Sequence, residues 1–100
     1  MEVDNEEVTT QRRKKKVDLE LERQREEFRK LLQFPGNRYW LWRLLSRCHI
    51  FHTISDLDPH MMAVKSGKRD VGLEVLNEIF DVEPKIFTLI QQEAVEREKE

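Results

Sequence analysis

The stretch "RYWLWRLLSRCHIF", from Arg38 to Phe51, contains both tryptophans, the single cysteine and three arginines of the chain. In an α-helix, successive side chains are about 100° apart, so this stretch divides into two faces. The apolar face carries Trp40, Leu41, Leu44, Leu45, Cys48 and Phe51. Arg43 and Arg47 are four residues apart on the opposite side, with Tyr39 beside them. The pattern predicts a central helix that packs its apolar face on neighbouring helices.

Prolines divide the rest of the chain into further helical segments. Pro35 ends the preceding helix, because proline lacks an N–H donor and disfavours helical geometry at the residue before it. Asp58 followed by Pro59 is typical of an N-cap and a first helical position, and it predicts a third helix to about Phe80. Pro84 opens a fourth helix in the same way. No alternating pattern persists long enough for a strand, so the sequence predicts an all-α fold, a small bundle of about four helices joined by short Pro/Gly turns.

The N-terminal third is highly charged. Residues 1–16 are acidic and then basic in "QRRKKK", with almost no apolar side chain, so we expect this arm to be disordered when free. Residues 17–33 contain helix formers without Gly or Pro and predict a long, charged first helix. An apolar stripe, formed by Leu21, Phe28, Leu31 and Leu32, is present only in its C-terminal half. We therefore expect that half to dock, the other half to protrude, and residues 17–97 to form a single helical domain.

Composition limits the class of protein. Hydrophobic and charged residues each make up 38% of the 100 residues, which suits one layer of helices better than a large cofactor cavity. The net charge of −2 does not by itself indicate a nucleic-acid-binding protein. A single cysteine excludes an intramolecular disulfide and fits a reducing compartment. The apolar runs are too short to span a membrane, and the acidic "MEVDNEEVTT" is not a signal peptide, so we expect a soluble intracellular protein.

The third helix contains two unusual residues on its apolar sector. Gly72 within a helix costs about 1 kcal/mol relative to alanine, so we attribute it to the close approach of another helix. Arg69 faces the same sector and needs a partner, such as a carboxylate or helix-end carbonyls, to offset its desolvation. Arg69 is either an internally paired or snorkelling side chain, or part of a charged pocket that receives a partner group.

The arginines of the central helix also have two interpretations. They either face water and pair with neighbouring carboxylates, or form an exposed row that meets an acidic partner or a phosphate backbone. Trp42, near the edge of the apolar face, would indicate a protein–protein contact if exposed, because Trp and Arg are enriched at interface hot spots. The candidate partner-binding residues are Arg38, Arg43, Arg47, Trp42 and Arg69.

The sequence offers little for catalysis or for a bound metal. Cys48 and His52 have a spacing that can place two ligands on one helix face, but no second pair completes a tetrahedral site. "SGKRD" lacks the spacing and the preceding strand of a phosphate-binding loop. No nucleophile with an orienting base is apparent, so we expect no enzymatic activity, no catalytic or metal-binding residue and no cofactor.

Two sequence runs together resemble a family of small proteins from tailed bacteriophages, typified by a protein of a Bordetella podovirus. The likeness covers roughly residues 34–93. It rests on Gly36, Arg38, Leu41, Trp42, Arg43, Leu44, Leu45, Arg47, Cys48 and Phe51, and on Gly67, Arg69, Asp70, Val71, Gly72 and Leu73. The chain departs from the family at Ser66, where an acidic residue is common, and at His49, where glycine is frequent.

Members of that family occur among head and tail assembly genes, so the resemblance implies a virion structural or assembly protein that contacts portal, capsid or tail components. It would be located in the virion or in the infected host cytoplasm. Two other functions remain open: a nucleic-acid-binding accessory protein in DNA packaging, through "QRRKKK" and the arginines, and a small inhibitor of a host enzyme. The first helix could also pair with itself in a homo-oligomer, although it lacks sustained heptads.

Overall fold

The computed structural model describes residues 5–100, which form four α-helices: α1 (Asn5–Leu31), α2 (Pro35–Arg47), α3 (Pro59–Val82) and α4 (Pro84–Glu98). None of residues 5–100 lies in a strand. The predicted all-α fold of four helices is therefore confirmed. Helices α3 and α4 begin at Pro59 and Pro84, as predicted, whereas α2 begins at Pro35, three residues before the predicted start at Arg38. No helix in this part of the chain is long and apolar enough to cross a membrane.

The core is a small aliphatic cluster supplied by all four helical regions. Leu41 and Leu45 from the central face of α2 are buried, as predicted, and residues from the other helices enclose them. The cluster consists of Leu32, Leu41, Leu45, Ile79, Val82, Ile86 and Ile90.

The buried stripe of α2 is narrower than the sequence predicted. Trp40 was assigned to the apolar face, but 51% of its surface is exposed, because it lies about 100° from Leu41 around the helix. Phe51 lies outside the helix, since α2 ends at Arg47 and residues 48–51 form a turn. His49 within that turn has a φ of 59°, a left-handed conformation that favours glycine.

Helix α1 docks only through its C-terminal end, as the sequence predicted. Phe28 packs against the core, whereas Leu21 and Leu31, also expected to dock, are exposed. Arg25 forms an ion pair with Asp81 at 3.2 Å, and the Arg29 guanidinium donates a hydrogen bond to the Val82 carbonyl at 3.4 Å. Residues 6–27 are exposed except at Val8, and the part of α1 before Arg25 protrudes from the bundle.

The first helix begins at Asn5, twelve residues before the start at residue 17 that the sequence predicted. The disorder expected for the free N-terminal arm, residues 1–16, stays a prediction. Residues 1–4 of that arm lie outside the described residues. The helix has a local cause: residues 5–31 contain no Gly or Pro, and Glu6 and Glu7 occupy the first turn, where acidic side chains stabilise the helix dipole.

The turn after α2 lies directly against α3 at Gly72. A Cβ atom built on Gly72 would be 2.5 Å from the Cys48 Cβ and 2.8 Å from the Ile50 Cγ2, closer than real Cβ contacts. The close approach inferred from the glycine is thus confirmed, although the approaching segment is the end of α2 and its turn.

The connection from this turn to α3 is anchored by two aspartates. Asp58 accepts a hydrogen bond from the His60 N–H at 3.0 Å and is the predicted N-cap. Asp56 accepts hydrogen bonds from the Asp58 N–H at 3.0 Å and from the Lys65 ammonium at 2.9 Å. These bonds, the backbone one first, hold the pKa of Asp56 below its usual value.

Replacing Gly72 by alanine should destabilise the fold. We expect the free energy of unfolding to fall by about 1–3 kcal/mol, because the new methyl group overlaps Cys48 and Ile50. Urea denaturation measures this value. The matched control is Gly67→Ala in the same helix, where no neighbouring atom lies within 4 Å and a gain of up to about 1 kcal/mol is expected. Equal effects of the two substitutions would contradict the close approach.

Asp56→Asn should lower the melting temperature at pH 7 but not at strongly acid pH. Because folding lowers the pKa of Asp56, its contribution is fully present above the unfolded value of about 3.9 and is lost as pH falls through the folded value. Thermal melts from pH 7 to pH 2 should therefore converge for the two proteins. A difference that stays constant over this range would contradict the role of the ionised carboxylate.

Candidate functional site

An open cleft of ≈ 470 Å³ lies between α2 and the C-terminal end of α4. It brings together three of the residues selected from the sequence, namely Trp42, Arg43 and Arg47. We call it the arginine cleft. Its lining is Tyr39, Trp42, Arg43, Ser46 and Arg47 from α2, and Ala94, Arg97 and Glu98 from α4.

Helix α2 holds this lining in place through its opposite face. Leu41 and Leu45 are buried in the core, and the α2 side chains that line the cleft lie on the other side of the helix. Trp42 is half-buried and stacks on Phe51 with ring centroids 5.0 Å apart. The stacking on Phe51 therefore restrains the Trp42 side chain that lines the cleft.

Tyr39 lies against two guanidinium groups. The Arg97 Cζ is 4.4 Å from the centre of the Tyr39 ring, and the Arg43 Cζ is 5.7 Å from it. Both distances are within the range of cation–π attraction. Two positively charged guanidinium groups therefore lie close to the same aromatic ring in the cleft.

The positive charge of the cleft is not neutralised within the described chain. Among residues 6–100, no carboxylate pairs with Arg43, Arg47 or Arg97, and Glu98 is the one acidic side chain in the lining. The Arg97 Nη2 is buried and lacks a hydrogen-bond acceptor, and it is the one such side-chain atom in that range. Leaving a buried donor unpaired costs about 1–3 kcal/mol. The cleft is therefore suited to an anionic group, above all a carboxylate or phosphate that accepts from a planar guanidinium.

The sequence analysis did not identify Arg97. A signal was nevertheless available, because Ile90, Ala94 and Arg97 have the four-and-three spacing of one helix stripe, and the first two are buried. A basic residue that continues an apolar stripe at the end of a helix faces the neighbouring helix. Tyr39 was noted beside the arginines, but its contact with α4 depends on the packing of the two helices.

Arg38 does not belong to the arginine cleft. It is buried, with 9% of its surface exposed, and pairs with Glu93 of α4 at 2.6 Å. Its Nη1 also donates to the Leu32 carbonyl at 2.9 Å. These contacts match the alternative in which an arginine pairs with a carboxylate of a neighbouring helix, and Arg38 has an internal partner for its charge.

Arg69 also lies outside the cleft lining. Its Nη1 donates to the carbonyls of His52 at 3.0 Å and His49 at 3.4 Å, so it fastens the turn after α2 to α3. Free carbonyls near a helix end were among the partners expected from the sequence. Within the described residues, no group of three or more His, Cys, Asp or Glu side chains is placed to hold a metal, and Cys48 is a buried free thiol.

A family model described as "Bbp19-like phage protein" matches residues 24–91 of this chain. The match runs from the docking end of α1 to about the middle of α4, and it begins ten residues before the likeness found from the sequence. No curated protein and no solved structure matches the chain.

Replacing Arg38 by methionine should lower the free energy of unfolding by about 3 kcal/mol, because Glu93 then remains as a largely buried charge without its partner. We expect the lower end of the range for buried pairs, since about a quarter of the Glu93 side chain is exposed. The double variant R38M/E93L should recover much of the loss. Arg43→Met, at an exposed position, is the control and should change stability by less than about 0.5 kcal/mol. Similar losses for the two methionine variants in urea denaturation would contradict a structural role for Arg38.

Proposed function

Since this chain belongs to the Bbp19-like phage protein family, we propose that it is a structural or assembly component of the virion and acts by binding other proteins. The observation that supports this proposal is the arginine cleft. It combines two aromatic side chains with three arginines at an open surface.

The composition of the cleft is that of a protein interface. Trp, Tyr and Arg are the residues that most often dominate binding energy between proteins. Trp42 and Tyr39 are held in place by their ring contacts, so little side-chain entropy is lost when a partner covers them. Trp40, which is exposed on the same helix, extends the aromatic surface beyond the cleft.

Binding of nucleic acid has less support. Arg38, one of the arginines expected to contact phosphates, is paired with Glu93 inside the bundle. The consecutive basic residues 12–16 are exposed on α1, and at about 100° per residue they are distributed around the whole helix. A basic stripe along one face would instead be expected for a helix that binds a duplex.

We also propose that the protein is not an enzyme. The one hydroxyl among the cleft side chains apart from Tyr39 is that of Ser46, which donates to the Trp42 carbonyl at 2.8 Å. No histidine lines the cleft, and Glu98 is its single carboxylate. A nucleophile with an adjacent base, which covalent catalysis requires, is not assembled there.

Quantitative mass spectrometry of purified phage particles and of partial assemblies tests the proposal. We expect the protein in at least one of them at a fixed number of copies per particle. In a phage that carries Arg47→Glu, incorporation should fall at least about tenfold if one such contact supplies 1.4 kcal/mol. Lys68→Glu, an exposed charge on α3 outside the cleft, is the matched control and should leave incorporation unchanged. Absence of the wild-type protein from all particles and intermediates would refute the proposal.

A further inference from the structure

We propose that the arginine cleft of one copy receives the N-terminal residues of a second copy of this chain, which include the start of α1. This inference rests on the proposed function, since it names one partner for the cleft. We call residues 1–10, "MEVDNEEVTT", the acidic tip. The proposed contact joins the acidic tip of one copy to the arginine cleft of another.

The arginines of the cleft lack acidic partners within residues 6–100, and the acidic tip carries carboxylates. Arg43, Arg47 and Arg97 lack carboxylate partners among the described residues, and the Arg97 Nη2 lacks any acceptor. The acidic tip carries four carboxylates, of Glu2, Asp4, Glu6 and Glu7, and has no basic side chain. Arginine–carboxylate pairs are among the stronger and more directional contacts between protein surfaces.

The order of charges beyond the two sites is also complementary. Directly after the acidic tip, residues 12–16 are all basic and exposed on α1. Glu98 lines the cleft at the end of α4, and Glu96 and Glu100, two residues on either side of it in sequence, are likewise exposed; Glu96 also pairs with Lys99 at 3.3 Å. When the tip meets the three arginines, which outnumber the one glutamate of the lining, the glutamates at the end of the chain are candidate partners for the adjacent basic segment.

The acidic tip reaches a cleft in another copy rather than its own. Helix α1 is 27 residues long, or about 40 Å at 1.5 Å per residue, and it is fastened to α3 near its C-terminal end through Arg25 and Arg29. It has no Gly or Pro at which to fold back, and no residue of α1 lines the cleft. Contact with the cleft of the same copy would break a continuous helix.

Contact with a second copy would also stabilise the protruding part of α1, because it would cover exposed apolar side chains. It carries three large apolar side chains, with 57%, 66% and 51% of their surface exposed at Val17, Leu19 and Leu21. A helix without tertiary contacts is only marginally stable in water. Insertion of the tip would bring these side chains toward the second copy, where exposed apolar residues of α2 such as Trp40 are available.

Two variants of the full chain test the contact. The tip variant, E2Q/D4N/E6Q/E7Q, removes the carboxylates, and the cleft variant, R43Q/R47Q/R97Q, removes the guanidiniums. We expect the wild type to associate at about 50 mM salt and to dissociate as salt rises, because exposed charge pairs are screened. Each variant alone should sediment as a monomer. An equimolar mixture should form a one-to-one complex, since the cleft of the tip variant accepts the tip of the cleft variant. The control K68Q/D70N, with its charges removed from α3, should associate like the wild type.

A second measurement does not depend on the folding of the cleft variant. A fluorescently labelled peptide of residues 1–10 should bind the tip variant, and fluorescence anisotropy reports this directly. A twelve-nucleotide single-stranded DNA should compete poorly with that peptide. A monomeric wild type at about 50 mM salt, a mixture that remains monomeric, or DNA binding without peptide binding would each overturn the inference.

The two proposals can fail separately. If particles contain the protein while the mixed variants remain monomeric, the contact between the acidic tip and the arginine cleft is wrong and the virion role stands. If the mixture forms a complex while particles and intermediates lack the protein, the virion role is wrong and the contact stands.

Discussion

The buried guanidinium of Arg38 joins three parts of the bundle. From the first turns of α2, it holds Glu93 of α4 and the Leu32 carbonyl just beyond the end of α1. These bonds fix both the position of α2 along α4 and its rotation about its own axis. With Arg38, Leu41 and Leu45 directed inward, Arg43 and Arg47 necessarily lie along the open side. The arginine cleft therefore depends on an ion pair that is not part of it.

Local sequence signals predicted the helices well, because each boundary depends on chemistry within a few residues. Pro35, Pro59 and Pro84 begin helices, and Asp58 caps one of them through its side chain. Gly72 indicated a close approach, since its cost within a helix requires a compensating contact. The start of α1 was less predictable, because the argument from burial gave no weight to helix propensity in a segment without apolar residues.

Only the α2 side of the arginine cleft could be predicted from the sequence. The helical spacing placed Arg43, Arg47 and Trp42 together, because they lie on one helix. Arg97 joins them only through the packing of α4 against α2, and a single sequence contains no direct record of that contact. For the same reason, the sequence did not predict that Arg38 is buried and that Trp40 is exposed. A wheel gives the angle between two side chains, whereas the direction of the core depends on which neighbours are present, and here the buried charge lies closer to the core than the exposed tryptophan.

Because α1 is a continuous helix, the number of its residues determines both how far its N-terminal end extends and in which direction the side chains there point. Between its fastened end near Arg25 and its free end, every residue advances the chain by about 1.5 Å and turns it by about 100°. Loss or gain of one residue in this interval would hardly alter the reach of the arm, but it would direct its terminal side chains to a different side. The proposed contact with the arginine cleft therefore constrains the number of residues in this charged segment, because that number sets the direction of the terminal side chains.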